Sequence, residues 1–170
     1  PTVQQQGDRW IAYIGHHNGS AENPLAGREE SNGTSIVDVT DPANPRYIHH
    51  IPGTDGDGDG ESEAQMVRTC AGSSLPDGVN GAYYLLRAVG PFGHEVWDVT
   101  TPAEPELVSS MEEMGLRDTH KNWWECETGI AYLVSGVEGW APRRMTQVYD
   151  LSDPANPRFI RNFGLPGQQP

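Results

Sequence analysis

Basic residues are scarce in this sequence: 11 Lys and Arg stand against 24 Asp and Glu, giving a formal net charge of −13. Nucleic acids and anionic membrane surfaces attract basic proteins, so neither is an expected partner. No apolar run reaches the ~20 residues of a membrane-spanning helix, and no segment shows convincing helical periodicity. The sequence also has no glycine-rich phosphate loop, nucleophile elbow, zinc-binding helix motif or arranged Ser-His-Asp triad. These absences exclude a helical membrane protein and the enzyme classes that such motifs define.

Three copies of one phrase are the main positive signal, and they align on Asp38, Asp98 and Asp150. Each copy has a β-rich stretch before the Asp, a turn with a Pro-x-x-Pro sequence after it, and a second β-rich stretch beyond the turn. Pro fixes φ at a turn corner, and Asp or Asn side chains bond nearby backbone amides. The aligned Asp residues are therefore expected to stabilise turns. The copies cover residues 36–45, 96–105 and 148–157.

Further predicted strands precede each copy. A strand with an Ala-Tyr pair lies upstream in all three units, and the second and third units have one more strand before that, predicted over residues 64–70 and 118–126. The first unit is expected to lack this additional strand, unless residues 1–6 supply something irregular in its place. Four consecutive antiparallel strands, repeated radially, form the blades of a β-propeller. We predict an all-β fold with about three propeller-type blades in one segment, 1–170. The expected blade ranges are about 8–53, 63–112 and 117–165.

Three blades are fewer than the ~4–8 of closed propellers. An open array of blades exposes two sheet faces, which disfavours a soluble monomer. We therefore expect the ring to be completed by more of its own chain or by other protein subunits.

The repeat resembles that of the LVIVD family of bacterial β-propeller proteins. The resemblance rests on Ser35-Ile-Val-Asp-Val-Thr-Asp-Pro-Ala-Asn-Pro45 and its two echoes, which with their flanking strands cover nearly the whole chain. Residues 118–126 and 129–136 also resemble a segment of long secreted members. The resemblance implies a periplasmic or extracellular location and the N-terminal part of a longer chain. It carries no catalytic residues over, because a propeller fold does not imply an activity.

The two cysteines, Cys70 and Cys126, each end the predicted innermost strand of successive blades. Innermost strands of adjacent blades are neighbours near the propeller axis. A disulfide between the blades, formed in an oxidising compartment, is one interpretation. Two unrelated buried thiols are the other, because the separation of their Cα atoms decides whether they can pair.

An acidic Asp-Gly stretch begins like a calcium-binding loop, with Asp55, Asp57 and Asp59 followed by Glu61. Carboxylate oxygens are the ligands that Ca²⁺ prefers. The twelfth position from Asp55 is Met66 rather than the bidentate Glu of an EF-hand, and no helices flank the loop. The stretch is either a looser Ca²⁺ site, the one cofactor that the sequence suggests, or a solvated linker between blades.

Two of the six histidines, His94 and His120, are placed near the propeller axis. Histidines gathered there could hold a transition metal. The six show no ligand spacing, so a structural or surface role is the alternative for each of them.

The first unit has a long connection, residues 16–33, between its second and third strands. Such loops on a rigid scaffold often form binding surfaces, although a tolerated insertion is the alternative.

The sequence favours a non-catalytic, exported propeller segment that binds other proteins or acts as a scaffold or structural subunit. The alternative is a part of a metal-dependent propeller enzyme, an oxidase or hydrolase, with histidines near the axis.

Overall fold

Fifteen β-strands and one 3₁₀ turn, Gly72–Ser74, form the regular structure of the residues described. The structure is a computed structural model that describes residues 1–53, 64, 66–90, 93–112 and 116–170. The strands are β1 (Thr2–Gln6), β2 (Arg9–Gly15), β3 (Ser20–Asn23), β4 (Arg28–Ser31), β5 (Thr34–Asp38), β6 (Arg46–Ile51), β7 (Val67–Ala71), β8 (Tyr83–Val89), β9 (Gly93–Asp98), β10 (Glu106–Met111), β11 (Leu116–Arg117), β12 (Asn122–Trp124), β13 (Ile130–Val137), β14 (Met145–Asp150) and β15 (Arg158–Phe163).

Three antiparallel sheets follow one another along the chain. The first has the order β1-β2-β5-β6, and the second has the order β7-β8-β9-β10. In the third, β13, β14 and β15 follow β12, and the short β11 also pairs with β13. The fold class is therefore as predicted: all-β, with propeller-type blades of four antiparallel strands. No helix in the described part of the chain is long and apolar enough to cross a membrane.

The first sheet contains an innermost strand that the sequence analysis left out. Residues Thr2–Gln6 form β1, which pairs with β2 from Thr2↔Tyr13 to Gln6↔Arg9. The expectation that the first unit lacks this strand was wrong. Its polar Gln4-Gln5-Gln6 sequence gave no β signal, and the strand is specified by its pairing with β2 and by burial of Gln6.

The innermost strand of the third sheet is interrupted. Residues 118–126 were predicted to form one strand, but the structure has β11 and β12 with an irregular segment between them. Asp118 adopts a φ of 54°, a left-handed conformation that a regular strand does not allow. His120 lies in this segment, where its backbone N–H donates to the carbonyl of Val134 at 3.0 Å.

The three sheets share one register. The aligned Asp residues pair with Ile11, Tyr84 and Ile130, which occupy the same place in β2, β8 and β13. Each aligned carboxylate also accepts a hydrogen bond from the backbone N–H two residues later, as Asp38 does from Thr40 at 3.0 Å. The same bond forms in the other two copies, at 2.8 Å and 2.9 Å. The repeated Asp therefore stabilises the turn, as predicted.

Successive sheets pack face to face, and β8 of the middle sheet contributes to both interfaces. Tyr84 and Leu86 belong to the apolar cluster shared with the third sheet, whereas Leu85 belongs to the cluster shared with the first. Side chains of a strand alternate between its two faces, so an uninterrupted apolar run buries residues on both sides. Below, the face of a sheet that packs on the following sheet is its front face, and the opposite face is its rear face.

The innermost strands lie side by side, because β7 contacts both β1 and β12. Cys70 of β7 is joined by a disulfide to Cys126, just after β12, with the Cα atoms 5.5 Å apart. Of the two interpretations, the disulfide between blades is therefore correct. The disulfide links the second and third sheets, and its two cysteines are 56 residues apart in the sequence.

Replacing both cysteines, in the variant Cys70→Ala/Cys126→Ala, should lower the free energy of unfolding by roughly 2–4 kcal/mol. The cross-link restricts the unfolded chain, and a loop of this length has an entropic effect of about 4 kcal/mol. Urea unfolding followed by tryptophan fluorescence measures the change. Reductant should destabilise the wild type by the same amount and leave the variant unchanged. Equal stability of variant and wild type under oxidising conditions would contradict the prediction.

Candidate functional site

The front face of the third sheet is uncovered. Tyr132 of this face is 37% exposed, whereas Tyr13 and Leu86, which hold the same position in the first two sheets, are 0% exposed. Tyr132 pairs on one side with Trp123, which is 52% exposed, and on the other with Val148. These residues form a continuous apolar row across three strands. This row, with Ile130, is named the third-sheet front face.

The rear face of the first sheet is open in the same way. Trp10 and Val3 are 45% and 53% exposed. Val39 is only partly buried, whereas its equivalents in the other two units, Val99 and Leu151, are 0% exposed. The first-sheet rear face is defined by Val3, Trp10 and Val39. The structure thus has two closed interfaces between sheets and one open face at each end.

Two sets of metal ligands were predicted, and no metal site is formed among the residues that the structure describes. The residues of the acidic stretch, Asp55, Asp57, Asp59 and Glu61, lie outside the described residues, so the Ca²⁺ site stays a prediction. Among the residues that the structure describes, no group of three or more His, Cys, Asp or Glu could hold a metal ion. The transition-metal interpretation of His94 and His120 is therefore without geometric support and stays a prediction.

His94 is buried between the second and third sheets. It lies in β9, and its Nε2 donates to the Lys121 carbonyl at 3.4 Å, next to the irregular segment that contains His120. Complete burial lowers the pKa of His94 from 6.5 to about 4, and the bond to the carbonyl opposes this only in part. At neutral pH the ring is uncharged and fills space between the sheets.

A cavity lies between the inserted hairpin β3–β4 and the first sheet. Its volume is about 350 Å³, and it is lined by residues from both parts: His16, Ala21, Glu22, Asn23, Pro24, Glu30, Asn32, Ser35, Tyr47 and His50. The hairpin forms because Asn23 accepts from the N–H groups of Ala26 and Gly27, and Gly27 takes the left-handed φ of 62° that closes the turn. The long connection 16–33 is therefore an ordered two-stranded element.

Polar side chains of the cavity are connected by hydrogen bonds. Nε2 of His16 lies 2.8 Å from the hydroxyl oxygen of Ser35, which lies 3.4 Å from that of Tyr47. The ring centroids of His16 and His50 are 6.5 Å apart. Nε2 of His50 donates to the carbonyl of Ser31 at 3.0 Å, which fastens the end of the hairpin to β6.

The electrostatics of the cavity are set by burial and by hydrogen bonds. Burial, and in second place the neighbouring His50, lower the pKa of His16 below 6.5, so its ring is neutral at pH 7. Hydrogen bonds from Asn23 and then Arg28 lower the pKa of Glu30, which is therefore ionised. The lining of the cavity combines two carboxylates, two imidazoles and two hydroxyls.

The sequence analysis did not identify this cluster. His16, Ser35, Tyr47 and His50 come from three different segments, and no spacing rule connects them. The available signals were the length of the connection 16–33 and its polar composition. Pairing of Ser35 with His50 across β5 and β6 then brings the side chains together.

No family model matches the chain, and no curated protein matches it. The fold, the two open end faces and the hairpin cavity are therefore the basis for any functional assignment.

The stability of the protein should fall between about pH 6.5 and pH 4, and His94 should account for a large share of the fall. The pKa of His94 is lower in the folded state than in the unfolded state, so its contribution is complete above pH 6.5 and is lost as the unfolded chain takes up a proton. A difference of 2.5 pKa units corresponds to at most about 3 kcal/mol. Urea unfolding of the wild type and of His94→Gln at pH 7 and pH 4.5 measures this.

The variant should have a smaller difference in stability between the two pH values. Part of the fall should remain, because the pKa values of His16 and His49 are also lowered. An identical pH dependence in the variant and the wild type would contradict the assignment to His94.

Proposed function

We propose that this chain is an exported propeller segment that binds other proteins, or further blades, and so acts as a scaffold or structural subunit. The observation that carries the proposal is the third-sheet front face. Its Ile130, Tyr132 and Val148 hold apolar positions that the first two sheets bury against a neighbouring sheet. The first-sheet rear face offers a second surface of the same kind.

Repetition of the interface indicates what kind of protein fits these faces. Within the chain, the front faces of the first and second sheets are each covered by the rear face of the following sheet, and the two buried clusters contain mainly aliphatic and aromatic residues. A partner for the third-sheet front face is thus another blade with an apolar rear face. More of the protein's own chain and separate subunits are the two sources of such a blade.

Aromatic residues at the centre of an open face are suited to protein association. Trp123 and Tyr132 are neighbours across β12 and β13, and the guanidinium of Arg68 stacks on the Trp123 ring at 5.1 Å from its centroid. Trp, Tyr and Arg are the residues that contribute most to binding free energy at interfaces. Contiguous exposed apolar surface of this kind typically marks an interaction site.

The cellular location of the protein is proposed from the disulfide and from the repeat. The Cys70–Cys126 bond is compatible with an oxidising compartment, where such bonds persist. The resemblance to LVIVD-repeat proteins supports a bacterial periplasmic or extracellular location. A net charge of −13 favours protein partners over nucleic acid.

Association through the third-sheet front face should be disrupted by the substitution Tyr132→Glu. The charge would have to be buried in an apolar interface without a partner, so the apparent dissociation constant should rise roughly tenfold or more. Native mass spectrometry and light scattering measure the assembly state of the purified chain, alone and with its periplasmic or extracellular fraction.

Val79→Glu is the matched control. Val79 is 63% exposed, lies in the middle unit between the 3₁₀ turn and β8, and belongs to neither end face as defined above. This control should leave association unchanged. A stable, monomeric wild type that captures no protein in either experiment would overturn the proposed function.

A further inference from the structure

Most donor groups that line the hairpin cavity are already used within the protein. The side-chain amide of Asn23 donates to Glu30 at 2.8 Å, and that of Asn32 donates to the His17 carbonyl at 3.0 Å. Nε2 of His50 donates to the Ser31 carbonyl. A ligand that needs donors from the protein would find few of them here.

Hydrogen-bond acceptors in the cavity lining, in contrast, are not all used within the protein. The bond to the Ser31 carbonyl places the proton of a neutral His50 ring on Nε2, which leaves Nδ1 as an acceptor. This Nδ1 is buried and has no hydrogen-bond partner among the described residues. This atom has almost no accessible surface, so the acceptor that a ligand in the cavity can reach is the Glu30 carboxylate. The carboxylate of Glu30 has further lone pairs besides those used by Asn23 and Arg28.

The charge of the cavity wall is negative. Glu22 and Glu30 both line it, and no Lys or Arg does so. Arg28 pairs with Glu30 at 2.9 Å from outside the cavity, and its side chain is 74% exposed while that of Glu30 is only 10% exposed. Water therefore screens the arginine more than the carboxylate, and the site disfavours anions.

A bare metal ion does not fit these observations. No three of the His and Glu side chains of the cavity are placed so that they could hold one ion, in line with the finding for the whole described part of the chain. The volume of about 350 Å³ is at the lower end of the ~300–1,000 Å³ typical of small-molecule sites. The Tyr47 ring in the wall adds an aromatic surface that attracts organic cations.

We propose that the cavity between the β3–β4 hairpin and the first sheet is a binding site for a small organic ammonium ion. The ammonium N–H groups donate to the Glu30 carboxylate, and the carbon skeleton lies against Tyr47. This site is separate from the two end faces and does not depend on the proposed function.

Three probes of equal size test the charge and the donors of the ligand. Cyclohexylamine, cyclohexanol and cyclohexanecarboxylate share one ring and differ only in carrying a cation, a neutral hydroxyl or an anion at pH 7. Isothermal titration of the intact chain should give binding of the amine at least about tenfold tighter than binding of the alcohol, because hydrogen bonds between charged groups are the stronger ones. The carboxylate should not bind. Equal affinity for the three probes, or no binding of the amine, would overturn the proposal.

Two neighbouring residues of β4 provide a matched pair of variants. Glu30→Gln removes a charge inside the cavity and should weaken amine binding about tenfold or more. Glu29→Gln removes the same charge one residue earlier, from a side chain that bonds Ser20 and does not line this cavity. Glu29→Gln should bind the amine like the wild type. An equal loss in both variants would mean non-specific attraction to an acidic hairpin, and would overturn the site.

A third variant tests the location without changing any acceptor. Ala21 lines the cavity opposite the sheet and pairs with Glu30. The substitution Ala21→Phe should fill the space and abolish amine binding, while the melting temperature shows that the fold is retained. Unchanged amine binding in folded Ala21→Phe would place the ligand elsewhere and refute the proposal.

Discussion

Burial of apolar side chains between successive sheets is the interaction on which the rest of this structure depends. Tyr84 and Leu86 of β8 face one neighbour and Leu85 faces the other, and all three are buried. A sheet that is apolar on both faces cannot be stable alone, so each blade requires another on either side. The same requirement leaves the first and third sheets each with one uncovered face. Fold and proposed function therefore have the same physical origin.

Polar groups between the blades fix how the sheets align, since apolar contact is not directional. Arg87 forms an ion pair with Glu95 at 2.8 Å, with both side chains buried, and it also donates to the carbonyl of Ile51 in the first sheet at 3.1 Å. Asn122 donates to the carbonyl of Met66 between the second and third sheets. Together with the Cys70–Cys126 disulfide, these contacts hold the inner strands in register.

The hairpin cavity differs in kind from the interfaces between blades. It is polar, it is built on an insertion into the repeat, and its floor is a rigid sheet that the repeat supplies. Nδ1 of His50 is one of ten buried side-chain atoms without a hydrogen-bond partner among the described residues, whereas the turn carboxylates are well satisfied. The scaffold and the insertion thus serve separate purposes on one framework.

The sequence by itself determined the strands, the turns and their order, because Pro, Asp and alternating apolar residues act over a few neighbouring positions. It left β1 unrecognised, since Gln4 and Gln5 have no intrinsic strand preference and pair only because β2 is beside them. It left open whether Cys70 and Cys126 pair, and it did not connect His16 with His50. The pairing of the cysteines and the proximity of the two histidines depended on distances between residues far apart in the chain. Only the tertiary structure decided them, because strand pairing and the stacking of sheets set which distant side chains meet.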